Sequence, residues 1–76
     1  MKLIRINKSA RYYKGKTAKY DGEIIYPNGR HAVCAVIMNG GNHDCHGGFP
    51  IEMDIADVEL LFPDSERDIT NRALHP

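Results

Sequence analysis

Hydrophobic and polar positions alternate along most of this 76-residue chain in runs too short for helices, and Gly, Pro and Asn break the runs apart. Lys2 to Ile6 reads as a first short strand, and Asn7 to Ala10 as a polar loop. Lys16 to Tyr20 and Glu23 to Tyr26 flank Asp21-Gly22, a dipeptide that suits the two-residue hairpin turns needing positive φ. Pro27-Asn28-Gly29 has the order of a type I turn closed by a left-handed glycine. It leads into a strand from Arg30 to Met38, which holds the longest apolar run, Ala32 to Met38. Asn39 to Gly48 contains four glycines in ten residues, a flexible loop or a tight hairpin with a ragged return strand. Ile51, Met53 and Ile55 alternate with Glu52 and Asp54, a half-buried strand, and Val58 to Phe62 forms one more. Beyond Pro63, Asp64 or Ser65 is placed to cap a short helix reaching about Leu74, with Ile69, Ala73 and Leu74 on its apolar side. Val33, Ile37, Ile51, Met53, Ile55, Val58 and Leu60 supply much of the predicted core.

Five or six short strands with tight turns predict a mainly β fold: a small antiparallel barrel or curled sheet with a short C-terminal helix. From Gly15 to Leu61, about two thirds of the chain, the pattern resembles SH3-like barrels. The resemblance rests on the Asp21-Gly22 and Pro27-Asn28-Gly29 hairpins and on the closing stretch Ile51 to Leu61. That stretch reads as a strand, a single helical turn at Ala56-Asp57 and a final strand. The chain divides into a basic N-terminal segment (1–14), a β core (15–62) and a C-terminal tail or short helix (63–76), all within one domain (1–76). Such barrels host peptide binders, ribosomal modules and inhibitors alike, so the fold leaves the function open. The usual aromatic peptide groove lacks its Trp here.

Charge changes the picture most. The first twenty residues carry Lys2, Arg5, Lys8, Arg11, Lys14, Lys16 and Lys19 and no carboxylate, whereas the other fifty-six carry three arginines against all ten carboxylates. Tyr12, Tyr13 and Tyr20 sit among the cations, a mixture suited to a phosphate backbone with stackable bases or to an acidic protein surface. A basic segment can equally fold against acidic strands of its own domain. On that reading Lys14 and Lys16 neutralise Glu52, Asp54 or Glu59, and nothing binds. The opening Met-Lys-Leu-Ile-Arg-Ile-Asn is broken by Arg5 and Asn7 and does not read as a signal peptide. The seven-residue apolar run is too short to span a bilayer, which takes about 20 residues in a helix. A cytoplasmic setting with no membrane partner, and with Cys34 and Cys45 as reduced thiols, is therefore expected.

Candidate chemistry is sparse. Cys34, His43, Cys45 and His46 are the residue types of a zinc site, and a two-residue turn at Asn39-Gly40 would set Cys34 opposite Cys45. No Cys-x-x-Cys spacing supports it, His46 falls on the other face, and Cys34 reads as well as a small core residue. No metal and no cofactor is therefore expected. Cys34, His43 and Asp44 supply the types of a nucleophilic triad, but a thiol within an apolar strand is inert. Lys14-Gly15-Lys16-Thr17 resembles the end of a phosphate-binding loop, yet Ala10 stands where its first glycine belongs and a strand, not a helix, follows. Glu52, Asp54, Asp57 and Glu59 form an acidic run that reads as a solvated face, Glu52 and Asp54 being the solvent side of the strand opposite Ile51, Met53 and Ile55, with an acidic patch for a basic partner as the functional version.

The sequence thus predicts a non-enzymatic module that occupies a surface of a larger protein or nucleoprotein complex, with Arg11, Tyr12, Tyr13, Lys14, Lys16 and Lys19 as the contact set. Its size and segregated charge are those of regulators or inhibitors encoded by phages and mobile elements, an analogy of style. One alternative is direct nucleic-acid binding, with the cations on phosphates and Tyr12, Tyr13 or Tyr20 stacked on bases. A small zinc-binding protein is the second alternative.

Overall fold

The computed structural model describes residues 1–37 and 48–72. Within them six strands form one sheet: β1 (Leu3–Ile6), β2 (Thr17–Ile25), β3 (His31–Ile37), β4 (Phe49–Asp54), β5 (Val58–Leu60) and β6 (Ile69–Asn71). The order is β4-β3-β2-β1-β5, antiparallel throughout, and β6 adds to β2 in parallel. β4 and β5 share no ladder, so the sheet curls without closing. A single 3-10 turn, Ile55–Asp57, joins them, capped by the Asp54 carboxylate accepting from the Ala56 N–H at 3.1 Å. Among the described residues no helix is long and apolar enough to cross a membrane.

Alternation puts Ile4 and Ile6 of β1, Ala18 and Tyr20 of β2, Val33, Ala35 and Ile37 of β3 and Met53 of β4 on one buried face. Ile4 and Ile6 are fully enclosed, so the basic N-terminal segment also supplies the centre of the core. Ile51, Ile55, Val58 and Leu60 are half-buried and pack at its margin. Pro27-Asn28-Gly29 stands at a hairpin tip as expected: the Gly29 N–H donates to the Tyr26 carbonyl at 2.9 Å, and Gly29 has φ 92°.

Three expectations are corrected. Asp21-Gly22 is not a hairpin turn but a bulge inside one continuous strand, β2. Tyr20 opposes Ala35 and Glu23 opposes Val33, so Asp21 and Gly22 together stand against Cys34 alone. Gly22 adopts φ 99°, the conformation the bulge needs and that only glycine takes without strain. The second correction is at the C-terminus, where no helix forms over the described residues. Asp64–Glu66 makes one 3-10 turn and Ile69–Asn71 pairs with β2, because an unpaired β2 edge offers the backbone better partners than a helix with a scant apolar side. The last residues of the expected helix, 73–74, lie outside the described residues. Third, β3 pairs with β4 so that Cys34 faces Glu52, not Cys45. The Asn39–Gly48 loop lies outside the described residues except for Gly48.

Candidate functional site

The bulge in β2 has a direct chemical consequence. Residues three apart on a regular strand face opposite ways, but the extra residue turns Tyr20 and Glu23 to the same, inner face. Glu23 is the only charged residue in the core among the described residues, and its side chain has no exposure. Its Oε2 accepts from the Tyr20 hydroxyl at 2.7 Å and from Arg67 Nε at 2.9 Å; its Oε1 meets Arg67 Nη2 at 2.5 Å and His31 Nε2 at 2.7 Å. Arg67 thus grips both oxygens, the planar fork geometry that makes such pairs strong. That grip, aided by Tyr20 and His31, overcomes the opposing effect of burial and holds the Glu23 carboxyl down at about pKa 2. Burial drives Tyr20 the other way, its hydroxyl pushed up to about 12. The same hydroxyl accepts from the Asp68 N–H at 2.9 Å, while the Glu23 N–H donates to the Asp68 carbonyl at 2.8 Å.

Every oxygen of this carboxylate is occupied and enclosed. A group held ionised in that way neither gives nor takes a proton near neutral pH, and no substrate reaches it. The cluster is a clasp: it ties the C-terminal segment, through Arg67 and Asp68, to the bulged middle of β2. Sequence reasoning set His31 aside as a metal ligand for its strand parity and gave Glu23, His31 and Arg67 no shared role. The one available signal was an Asp-Gly pair with Tyr and Glu on either side, and its reading as a turn concealed it.

The predicted contact residues fall in two places. Arg11, Tyr12, Tyr13, Lys14 and Lys16 share the loop between β1 and β2. This loop is built, not slack. The Asn7 N–H donates to the Asp57 carbonyl at 2.9 Å, Ala10 N–H to Asn7 at 3.0 Å, Gly15 N–H to Ile6 at 2.9 Å and Lys16 N–H to Tyr13 at 3.1 Å. Ala10 plugs into the core. Tyr13 has φ 59°, a left-handed conformation that costs a bulky residue free energy and persists only where packing fixes it. Here its ring lies against the core and 5.7 Å, centroid to centroid, from Phe49 of β4. Tyr12 sits 6.3 Å from Tyr13 and points outward, 62% exposed, and Phe49 is 43% exposed. Arg11, Lys14 and Lys16 are exposed in the same loop, and among the described residues none pairs with a carboxylate.

Lys19 stands apart. It lies on the outer face of β2, level with Leu3 and Val36. There it borders a shallow groove with Met1, Lys2, Asp21 and Asp68. Tyr20 is taken up by the clasp and by Phe62, whose ring centroid is 4.5 Å away, so it offers no face to a base. Cys34 is half-buried on the outer face, and burial pushes its thiol pKa up. His43, Cys45 and His46 of the expected metal set lie outside the described residues; among the described ones no group of His, Cys, Asp and Glu is arranged to hold a metal ion. No protein-family model, no curated protein and no solved structure matches this chain.

Proposed function

We propose that this chain is a non-enzymatic binding module that docks on a larger protein or nucleoprotein complex through the 7–16 loop. One observation carries the reading: a backbone-braced loop exposes both the Tyr12 ring and Arg11, Lys14 and Lys16, none of these cations paired with a carboxylate of the described residues. Exposed aromatic side chains and arginine are the residue types that dominate binding energy when a partner covers them. Rigidity adds to this, because a loop ordered beforehand loses less entropy on docking. The carrier is read as an SH3-like arrangement, which the strand order and the 3-10 turn between β4 and β5 support.

The test is a Lys14→Glu, Lys16→Glu double variant used as bait beside the wild type in extract of the native cell. Complexes captured by the wild type should disappear with the variant, while its melting temperature stays within a few degrees. If the variant melts far lower, the cations are neutralising the chain's own acidic residues, and the proposal fails.

A further inference from the structure

Resting on the loop as contact surface, we infer that its partner is single-stranded nucleic acid, gripped through phosphates by Arg11, Lys14 and Lys16 with a base stacked on Tyr12. The loop from Asn7 to Lys16 contains cations and no carboxylate, so its local field attracts a polyanion although the chain as a whole is neutral. An acidic protein surface would satisfy the cations equally well. The rings separate the two. Tyr12 keeps 62% of its surface in water and lies 6.3 Å from the Tyr13 ring, tilted by 50° to it, while Tyr13 in turn lies 5.7 Å from Phe49. Carboxylates gain little from the electron-rich face of an aromatic ring, whereas every base has a π-face to lay on it. Tyr13 cannot serve as that platform, because its ring is committed to Phe49 and the core. It holds the platform in place instead, its left-handed backbone sending the two successive tyrosines in different directions.

A single strand fits better than a duplex. Stacking on a side chain needs a base free of its neighbours, which a paired and stacked duplex does not offer. The flanking strand extends the contact no further, since β1 is paired on both sides, with β2 and β5, and its outward Arg5 is drawn to Glu59 at 3.5 Å. The contact is therefore local, one or two bases and the phosphates next to them.

Fluorescence anisotropy of labelled oligo(dT) and oligo(U), with a duplex of equal length as the comparison, tests this. Three phosphate contacts predict a slope of about −2 in log affinity against log salt, so a fourfold rise in salt weakens binding roughly twentyfold. Tyr12→Ala should cost about 5- to 150-fold, the range measured for one stacked base, and Tyr12→Phe should restore most of it. Lys14→Glu with Lys16→Glu should abolish binding. Equal affinity for single strand and duplex, or indifference to Tyr12→Ala, would overturn the inference by reducing the contact to charge alone. So would failure to bind either oligonucleotide. If that failure comes with a protein partner still captured by the wild type and lost with the double charge reversal, the loop stands as a contact surface and only its partner is wrong. If capture is lost too, both readings fall together.

Discussion

Acid should unfold this protein mainly through one carboxylate, and the size of the effect follows from the clasp. Glu23 titrates near 2 in the folded chain against an ordinary value of 4.5. Its folded-state pKa lies below the unfolded one, so the unfolded chain takes up the proton first. The stabilisation is complete above about pH 5 and drains away as pH falls toward 2. Each unit between the two values is worth about 1.4 kcal/mol, which makes the contribution roughly 3 kcal/mol. A domain of this size is stable by only about 4–11 kcal/mol in total, so the loss is a large fraction of the whole. Glu23→Gln isolates it. The variant keeps the shape but offers the Arg67 fork an amide nitrogen, and it should be less stable than the wild type at pH 7. With nothing left to titrate, its stability should fall less steeply in acid, and the two curves should converge near pH 2. Urea denaturation followed by far-ultraviolet circular dichroism at a series of pH values measures this directly. Parallel curves, with a constant gap from pH 7 to pH 2, would show that the carboxylate is not held ionised by Arg67, Tyr20 and His31.

Other consequences are simpler. Gly22→Val forces a branched side chain into φ 99° and brings its Cβ to 3.5 Å from the Asp68 carbonyl, so it should cost about 1–3 kcal/mol in the same denaturation assay. Ile4→Ala and Ile6→Ala, at fully enclosed sites, should each cost about 2–5 kcal/mol, and Ile51→Ala at the half-buried margin clearly less. In a Cys45→Ser background Cys34 should react slowly with a maleimide at neutral pH and quickly once urea unfolds the chain, because burial raises its thiol pKa; equal rates in both conditions would contradict its placement.

Much of the sheet was legible because alternation is a local signal. Leu3–Ile6, His31–Ile37 and Phe49–Asp54 fall close to the runs that period two marks out, and the Pro27-Asn28-Gly29 turn is written in its own residues. The errors have a common cause in long-range pairing. Asp21-Gly22 is chemically suited both to a hairpin turn and to a bulge, since each asks a glycine for positive φ. What decided it was the β3 partner, continuous across the site from Val36 to His31. The C-terminal segment was misjudged in the same way. Its residues are indifferent helix formers, and their fate was set by an open edge of β2 and by Glu23, forty-four positions from Arg67. The clasp itself was invisible because its members come from β2, β3 and the tail, with no shared spacing. The loop cations and tyrosines, by contrast, could be picked out beforehand, because they crowd into one short stretch of chain.

The charge asymmetry takes on a different meaning once the pairings are placed. Had the basic and acidic halves existed to neutralise each other, the loop cations would meet the acidic strands. Instead Glu59 is met by Arg5, Glu52 by Arg30 at 2.8 Å, and Glu23 by Arg67, two of those three arginines belonging to the acidic half. The first two pairs are exposed and worth little, while the third is enclosed and holds the architecture. Arg11, Lys14 and Lys16 take part in none of them. The fold spends Ile4, Ile6 and Ala10 of the N-terminal stretch on its core and anchors the loop at Ile6 and Asp57. A chain that fixes a loop so firmly yet leaves its cations to solvent gains nothing in stability from their clustering. Their concentration in one exposed loop is what an anionic partner would require.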